Sequence, residues 1–362
     1  MAYTTIDNPG KYFQVLTWTG NDATSRALTF GGGDSLQPDL VWTKIRTQNY
    51  SHTIFDSTRG VTKVFFPNET GKEETSPSQG FLTSFDSDGF TVEDGSSAIL
   101  NFNGNNEKYV SFCWKETADA GMDITTYTGN GSSSRTVSHS LSAVPAWHLI
   151  KERSPNDEFT FVYHKSIGNT GGMYLTSTAA AYDNVGGYND TDPTSSVVTL
   201  GDSGGINTNS STYIMYLWTD KQGYSKSGKF EGNNNADGSF VYLGFKPAWV
   251  MIKDMDSQGT VGGSVATSWG IWDSKRMPNN PAGNPLWANK NSNETIRGNG
   301  SSANTGGSDG NGLGGFIFID MLSNGFKCRT GTAELNGSNT YVYMAFAEAP
   351  FVNSKGVPAN AR

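Results

Sequence analysis

The chain has 362 residues, a formal net charge of -8 and only 17% charged residues, against about 25% in ordinary soluble domains. Lys and Arg total 26 and form no basic stripe, which argues against binding nucleic acid through phosphates. Gly at 44 residues and aromatics at 12% point to an all-β chain with many turns and few helices.

Residues 1–11 read as an arm that ends on the turn signal Asn8-Pro9-Gly10. The opening Met1 to Pro9 is polar, so no apolar leader is expected, nor any membrane insertion, and synthesis is expected in a cytoplasm without a secretion signal. A first unit covers 12–117, a second 118–222 and a third 223–350, followed by a second arm at 351–362. The division rests on an internal repeat. Pro38 to Lys44, Pro145 to Lys151 and Pro247 to Lys253 share one pattern, their prolines 107 and 102 residues apart. That period exceeds the solenoid range and suits a small domain with its own core. An aromatic followed by Gly-Asn precedes each copy: Trp18 before Gly20-Asn21, Tyr127 before Gly129-Asn130, and Phe230 before Gly232-Asn233.

Within unit one, strands are expected at Tyr12 to Thr19, Leu40 to Ile45, His52 to Phe55 and Lys108 to Trp114, with a hairpin-type turn at Ser87-Asp88-Gly89-Phe90. The closing segments Tyr109 to Trp114, Tyr213 to Trp218 and Tyr341 to Ala347 are aromatic-rich, and the second and third carry no polar residue on either face. A strand wet on one side alternates polar and apolar residues, so these predict cover on both sides. A neighbouring unit, another protomer, or a central strand with wet Tyr hydroxyls would each account for them. Residues 277–315, rich in Asn, Gly, Ser and Pro, form a long insertion expected to be held by contacts, with Trp287 as its anchor.

Several motifs invite chemistry. Gly201-Asp202-Ser203-Gly204-Gly205 resembles the nucleophile loop of chymotrypsin-like serine proteases. None of His52, His139, His148 and His164 has the matching context, and Ile206 replaces the usual Pro, so a turn is the preferred reading. Asp86-Ser87-Asp88-Gly89 and Asp183-Asn184-Val185-Gly186 carry oxygen ligands suited to calcium. An EF-hand counted from Asp86 would need Glu where Ser97 stands. No cofactor is therefore expected, with a structural calcium left open but unsupported by spacing, and no zinc. Cys113 and Cys328 read as packed free thiols. Lys44, Lys151 and Lys253 recur at one position. A strand-end lysine covering apolar surface with its stem is the favoured reading, and an anion or inter-unit contact the alternative. Trp42, Trp147 and Trp249 read as core, whereas the loop aromatics Tyr182, Tyr188 and Trp287 are the candidate ligand contacts.

Gln37 to Trp42, Phe55 to Gly60, Phe85 to Phe90, Tyr224 to Gly228, Pro247 to Lys253, Tyr343 to Phe351 and Asn353 to Arg362 together resemble a family of structural proteins of marine bacteriophages, including cyanophages. The likeness covers nearly the whole chain, although the loop at 277–315 is longer than the family pattern. It implies a virion component of the tail or fibre, built of lectin-like or jelly-roll-like antiparallel β-sandwich modules, and carries no catalytic residues. The expectation is thus a non-enzymatic tail or tail-fibre protein active in host-surface attachment. Its expected partners are other phage virion proteins and itself as a homo-oligomer, a trimer being favoured. A host-surface glycan is a candidate ligand. A capsid decoration or tail-assembly protein without a receptor role is the alternative.

Overall fold

The computed structural model describes residues 3–97, 102–183, 185–256, 268–294 and 319–358. They are almost wholly antiparallel β-structure, with two short α-helices at Val185–Tyr188 and Gly204–Asn207.

One strand order occurs three times. An opening strand (Phe13–Thr19, Met122–Thr128, Ser225–Glu231) pairs with the closing strand (Lys108–Trp114, Thr212–Trp218, Thr340–Pro350). The closing strand pairs next with the lysine strand (Leu40–Ile45, Trp147–Ser154, Phe245–Asp254). A return strand follows (Thr53–Asp56, Phe161–His164, Gly270–Asp273). Each third also forms a smaller sheet: Arg26–Leu28 with Gly89–Glu93 and Phe81–Asp86, Arg135–Ser138 with Val197–Leu200, and Phe240–Tyr242 with Gly325–Cys328 and Ile319–Leu322.

The two faces of each large sheet have different partners. In the first, Val41, Ile45, Phe55 and Cys113 pack against Leu28, Leu82, Phe90 and Val92 of the small sheet. In the second, Ile150, Tyr213, Met215 and Leu217 pack against Val137 and Val198. The alternate residues point the other way. Leu40, Trp42, Phe112 and Trp114 meet Trp147, Tyr216 and Trp218 from the second sheet and Trp249, Met344 and Phe346 from the third in one continuous core. Trp114 lies at its middle, with ring centroids 4.9 Å from Phe13, 5.5 Å from Phe346, 5.8 Å from Trp249 and 6.1 Å from Trp218. The second face of the closing strands is therefore covered by neighbouring units of the same chain.

The repeated aromatic-Gly-Asn motif also acquires a cause. Trp18, Tyr127 and Phe230 stack on the closing-strand residues Tyr109, Tyr213 and Tyr341, at 4.2, 5.0 and 5.2 Å. The following Gly lies against the backbone of a turn holding a fully buried Asn: Asn103, Asn207 or Asn336. That Asn side chain accepts from the backbone N–H of Asn21, Asn130 or Asn233. A Cβ on Gly20, Gly129 or Gly232 would stand 1.9, 2.1 or 1.8 Å from a carbonyl oxygen, so no larger residue fits without moving backbone.

Both terminal segments fold back on the chain. The Tyr3 hydroxyl donates to Gly244 O at 2.9 Å and the Thr4 hydroxyl to Gln222 O at 2.7 Å. The Ser354 N–H donates to Asp7 Oδ1 at 2.6 Å, joining the start of the chain to its end. Of the insertion, Met277, Leu286, Trp287 and Ala288 are core residues, and Leu286–Trp287 adds a strand to the third sheet. The remainder, 295–315, lies outside the described residues.

Candidate functional site: the seams between units

The lysine strands place the recurrent lysines. Side chains on a strand alternate, so Lys44 shares the face of Leu40 and Trp42, Lys151 that of Trp147 and Leu149, and Lys253 that of Trp249 and Met251. That face looks into the next unit. All three are buried, at 0%, 1% and 0% exposure, which corrects the reading of a stem on open surface. Their ammonium groups donate across the seams to backbone carbonyls: Lys44 to Asn291 at 3.2 Å, Lys151 to Thr70 at 2.6 Å and Lys253 to Thr178 at 3.5 Å. Unit three thus reaches unit one, unit one reaches unit two, and unit two reaches unit three. Burial lowers the lysine pKa to about 7 at Lys44 and to about 8 at Lys151 and Lys253, because the charged form loses its water.

Three residues further along each donor loop a backbone bond repeats the cycle. Glu294 N donates to Arg46 O, Glu73 N to Arg153 O, and Ala181 N to Met255 O. At two seams the loop residue is a carboxylate held between two arginines. Glu73 sits 2.8 Å from Arg153 and 3.4 Å from Arg59. Glu294 sits 2.5 Å from Arg46 and 3.2 Å from Arg276. Arg59 in turn pairs with buried Asp56 at 2.5 Å, and Arg276 pairs with buried Asp273. Burial works against the Arg59 charge, but Asp56, Tyr216 and Glu73 outweigh it and raise its pKa. Asp56 also accepts the Tyr216 hydroxyl of unit two at 2.6 Å. Unit two has His164 and Ile167 where the others have this Asp and Arg, and the His164 ring contacts Tyr343 O of unit three at 3.1 Å.

The seam between units three and one is not crossed by a linker. It holds a cleft of about 330 Å³ lined by Phe13, Gln14, Val15, Ala248, Lys275 and Glu348 among others. At the other seams the matching carboxylate receives an opening-strand N–H: Glu116 that of Ile124 at 3.0 Å and Asp220 that of Ser227 at 2.8 Å. Glu348 pairs with Lys246 at 2.6 Å.

The candidate ligand aromatics are dispersed. Tyr188 is 2% exposed and its hydroxyl lies 3.2 Å from His148 Nε2. Trp287 is 7% exposed, and its carbonyl lies 3.0 Å from His52 Nε2. Neither ring offers a free face for stacking. Tyr182 is partly open, but one face stacks on Tyr174 at 4.9 Å. The exposed large aromatics among the described residues are Phe159, Phe240 and Tyr242, which the sequence reading did not select. The outward position of Phe240 and Tyr242 follows from alternation about buried Val241 on a short strand, and Phe159 precedes the strand Phe161–His164.

The remaining motifs serve the fold. Ser203 precedes the helix Gly204–Asn207, and its carbonyl accepts from Asn207 N. The ring nitrogens of the four histidines contact Trp42 and Trp287, Thr194, Tyr188, and Tyr343 and Ser166 respectively, and none contacts Ser203. Asp86 accepts the hydroxyls of Ser84 and Thr91 beside a two-residue hairpin turn. Asn184 of the second acidic motif lies outside the described residues. No group of three metal-ligating side chains occurs among the described residues, and Cys113 and Cys328 are buried free thiols. Among those residues no helix is long and apolar enough to cross a membrane.

No curated protein and no solved structure matches the chain. The model of one family, described as a domain of unknown function (DUF7483), matches residues 8–350. That span takes in all three large sheets and every seam, and the chain belongs to the DUF7483 family.

Proposed function

We propose that the chain is a non-catalytic building block of a bacteriophage particle, carried in the tail or tail fibre and engaged in host-surface attachment. The observation that carries this reading is the use of the buried polar groups. Lys44, Lys151 and Lys253 donate to carbonyls across unit boundaries, and Arg59 and Arg276 hold carboxylates of their own units, of which Glu73 and Glu294 also pair with Arg153 and Arg46 of the neighbouring unit. Such an arrangement makes a stiff block, and short strands and loops on a stiff scaffold are favourable places for surface recognition. The resemblance to marine phage structural proteins supports the virion setting. Docking to other virion proteins, and any homo-oligomer, would use the outer surface, because the apolar faces of the closing strands are occupied within the chain.

Immunogold labelling of intact particles with an antibody to the purified chain tests the reading. Gold at the tail, together with inhibition of adsorption by the purified protein, is the expected result. Gold on the head lattice would replace it with the capsid-decoration alternative, and particles without the chain would end both.

A further inference from the structure

We propose that the outward face of Phe240–Tyr242 is a carbohydrate-stacking platform that takes a neutral pyranose of a surface polysaccharide. The proposal rests on the attachment reading and names what is attached to. Phe240 and Tyr242 are 47% and 48% exposed and stand two residues apart on one face of an edge strand, about 6.6 Å along it, with buried Val241 between them. A pyranose lays its C–H-rich face on an aromatic ring and turns its hydroxyls to polar atoms at the rim.

The other two units supply the control. Leu28 and Val137 are the buried residues of the matching strands, and their outward neighbours are Ala27 with Thr29 and Thr136 with Ser138, all exposed. The fold therefore asks only for small residues at these places, and unit three alone puts two rings there.

The rim is built. The Tyr242 hydroxyl lies 3.2 Å from that of Tyr3, which also donates to Gly244 O and so fixes the second ring. Lys226 sits over Tyr242 at 5.4 Å and donates to its carbonyl at 2.7 Å. Lys327, opposite Phe240, pairs with Asp237 at 2.7 Å, and Arg329 lies 3.4 Å from Asp320. With Lys327 and Arg329 paired to carboxylates and Lys226 engaged by a backbone carbonyl, a neutral ligand fits better than an ionic one. The size also selects the occupant. Two half-exposed rings present about 200 Å², enough for a sugar ring or two and well short of the ~800 Å² per partner of a stable protein interface.

Affinity electrophoresis of the full chain through gels containing laminarin, dextran, yeast mannan or galactomannan, with alginate and a thymidine oligonucleotide as charged controls, tests the proposal. Retardation by at least one of the first four is expected. It should weaken at least tenfold in the double variant Phe240→Thr, Tyr242→Ser, which copies the small outward residues of the other units, and persist in Phe240→Tyr. An unchanged melting temperature would establish that the double variant is folded. Equal retardation of the double variant, retardation by none of the four polymers, or retardation only by the oligonucleotide would overturn the proposal. So would a wild-type dimer in sedimentation that the double variant abolishes, which would make the face an interface between copies. Tail labelling without polymer binding would leave the structural reading standing and remove this one.

Discussion

At the scale of single residues, close approach and buried charge govern the repeated positions. Gly129 and Gly232 touch turn backbone that a methyl group would overlap, so Gly129→Ala should cost about 1–3 kcal/mol, the usual penalty of overpacking. Gly32, with no atom within 4 Å of a built Cβ, is the matched control, expected within about 0.5 kcal/mol of wild type. Urea titration of both variants measures the contrast, and equal midpoints would refute the close-approach account. Arg276 presents the other kind of constraint. It neutralises buried Asp273 and reaches Glu294 and the carbonyls of Ile271 and Asn284. Arg276→Met leaves a carboxylate buried without its cation and should cost about 3–5 kcal/mol. Unit two, with His164 and Ile167 at the matching places, indicates that the cost comes from breaking the pair and not from lacking it. Replacing Asp273 and Arg276 together by Asn and Met should accordingly cost less than Arg276→Met alone in the same titration.

The strand is the scale at which the sequence was most and least informative. The three-fold recurrence of Pro38 to Lys44, the apolar closing segments and the hairpin at Ser87-Asp88 were legible because each is a local pattern of period two or a turn signal. The partner of the second apolar face was not legible, because alternation reports that a face is covered and not by what. The burial of the lysines is hidden in the sequence for a related reason. Their parity with Leu40, Trp147 and Trp249 was visible, but a basic residue at a strand end is ordinarily wet, and only the position of the next unit's loop makes it buried. Tyr188 and Trp287 lie in polar stretches, yet polarity of neighbours does not set burial when a short helix or an added strand carries the ring inward. The buried lysines impose a pH dependence on their strands. Below the folded pKa values of about 7 to 8 both folded and unfolded forms are protonated, and the folded chain bears the burial cost. Between there and about pH 10 the unfolded lysines keep their protons while the folded ones release them, so stability rises with pH, by up to about 1.4 kcal/mol for each unit of depression. Melting temperatures of wild type between pH 7 and 9.5 should climb. Lys151→Met should flatten part of that climb, and a parallel curve for the variant would show that Lys151 titrates normally.

For the whole molecule, the shared core sets the folding behaviour. Tandem domains with separate cores unfold separately when little surface connects them. Here the inner face of every large sheet belongs to one core, and each seam adds partly buried charge pairs or lysine–carbonyl bonds. Trp114 contacts rings from units two and three, so unit one alone would expose it together with Leu40, Trp42 and Phe112. It would also leave Lys44 without its Asn291 acceptor. Residues 12–117 expressed alone should therefore lack a cooperative melt and bind a hydrophobic dye, whereas the full chain should show one calorimetric transition with equal calorimetric and van't Hoff enthalpies. Trp114→Ala should cost about 3–5 kcal/mol and lower that single transition as a unit. Three resolved transitions, or a folded isolated first unit, would mean that the seams are mere contacts between finished domains. A single transition would mean that the repeat has become a part of one molecule, with the clasp of Asp7 on Ser354 closing the cycle between its two ends.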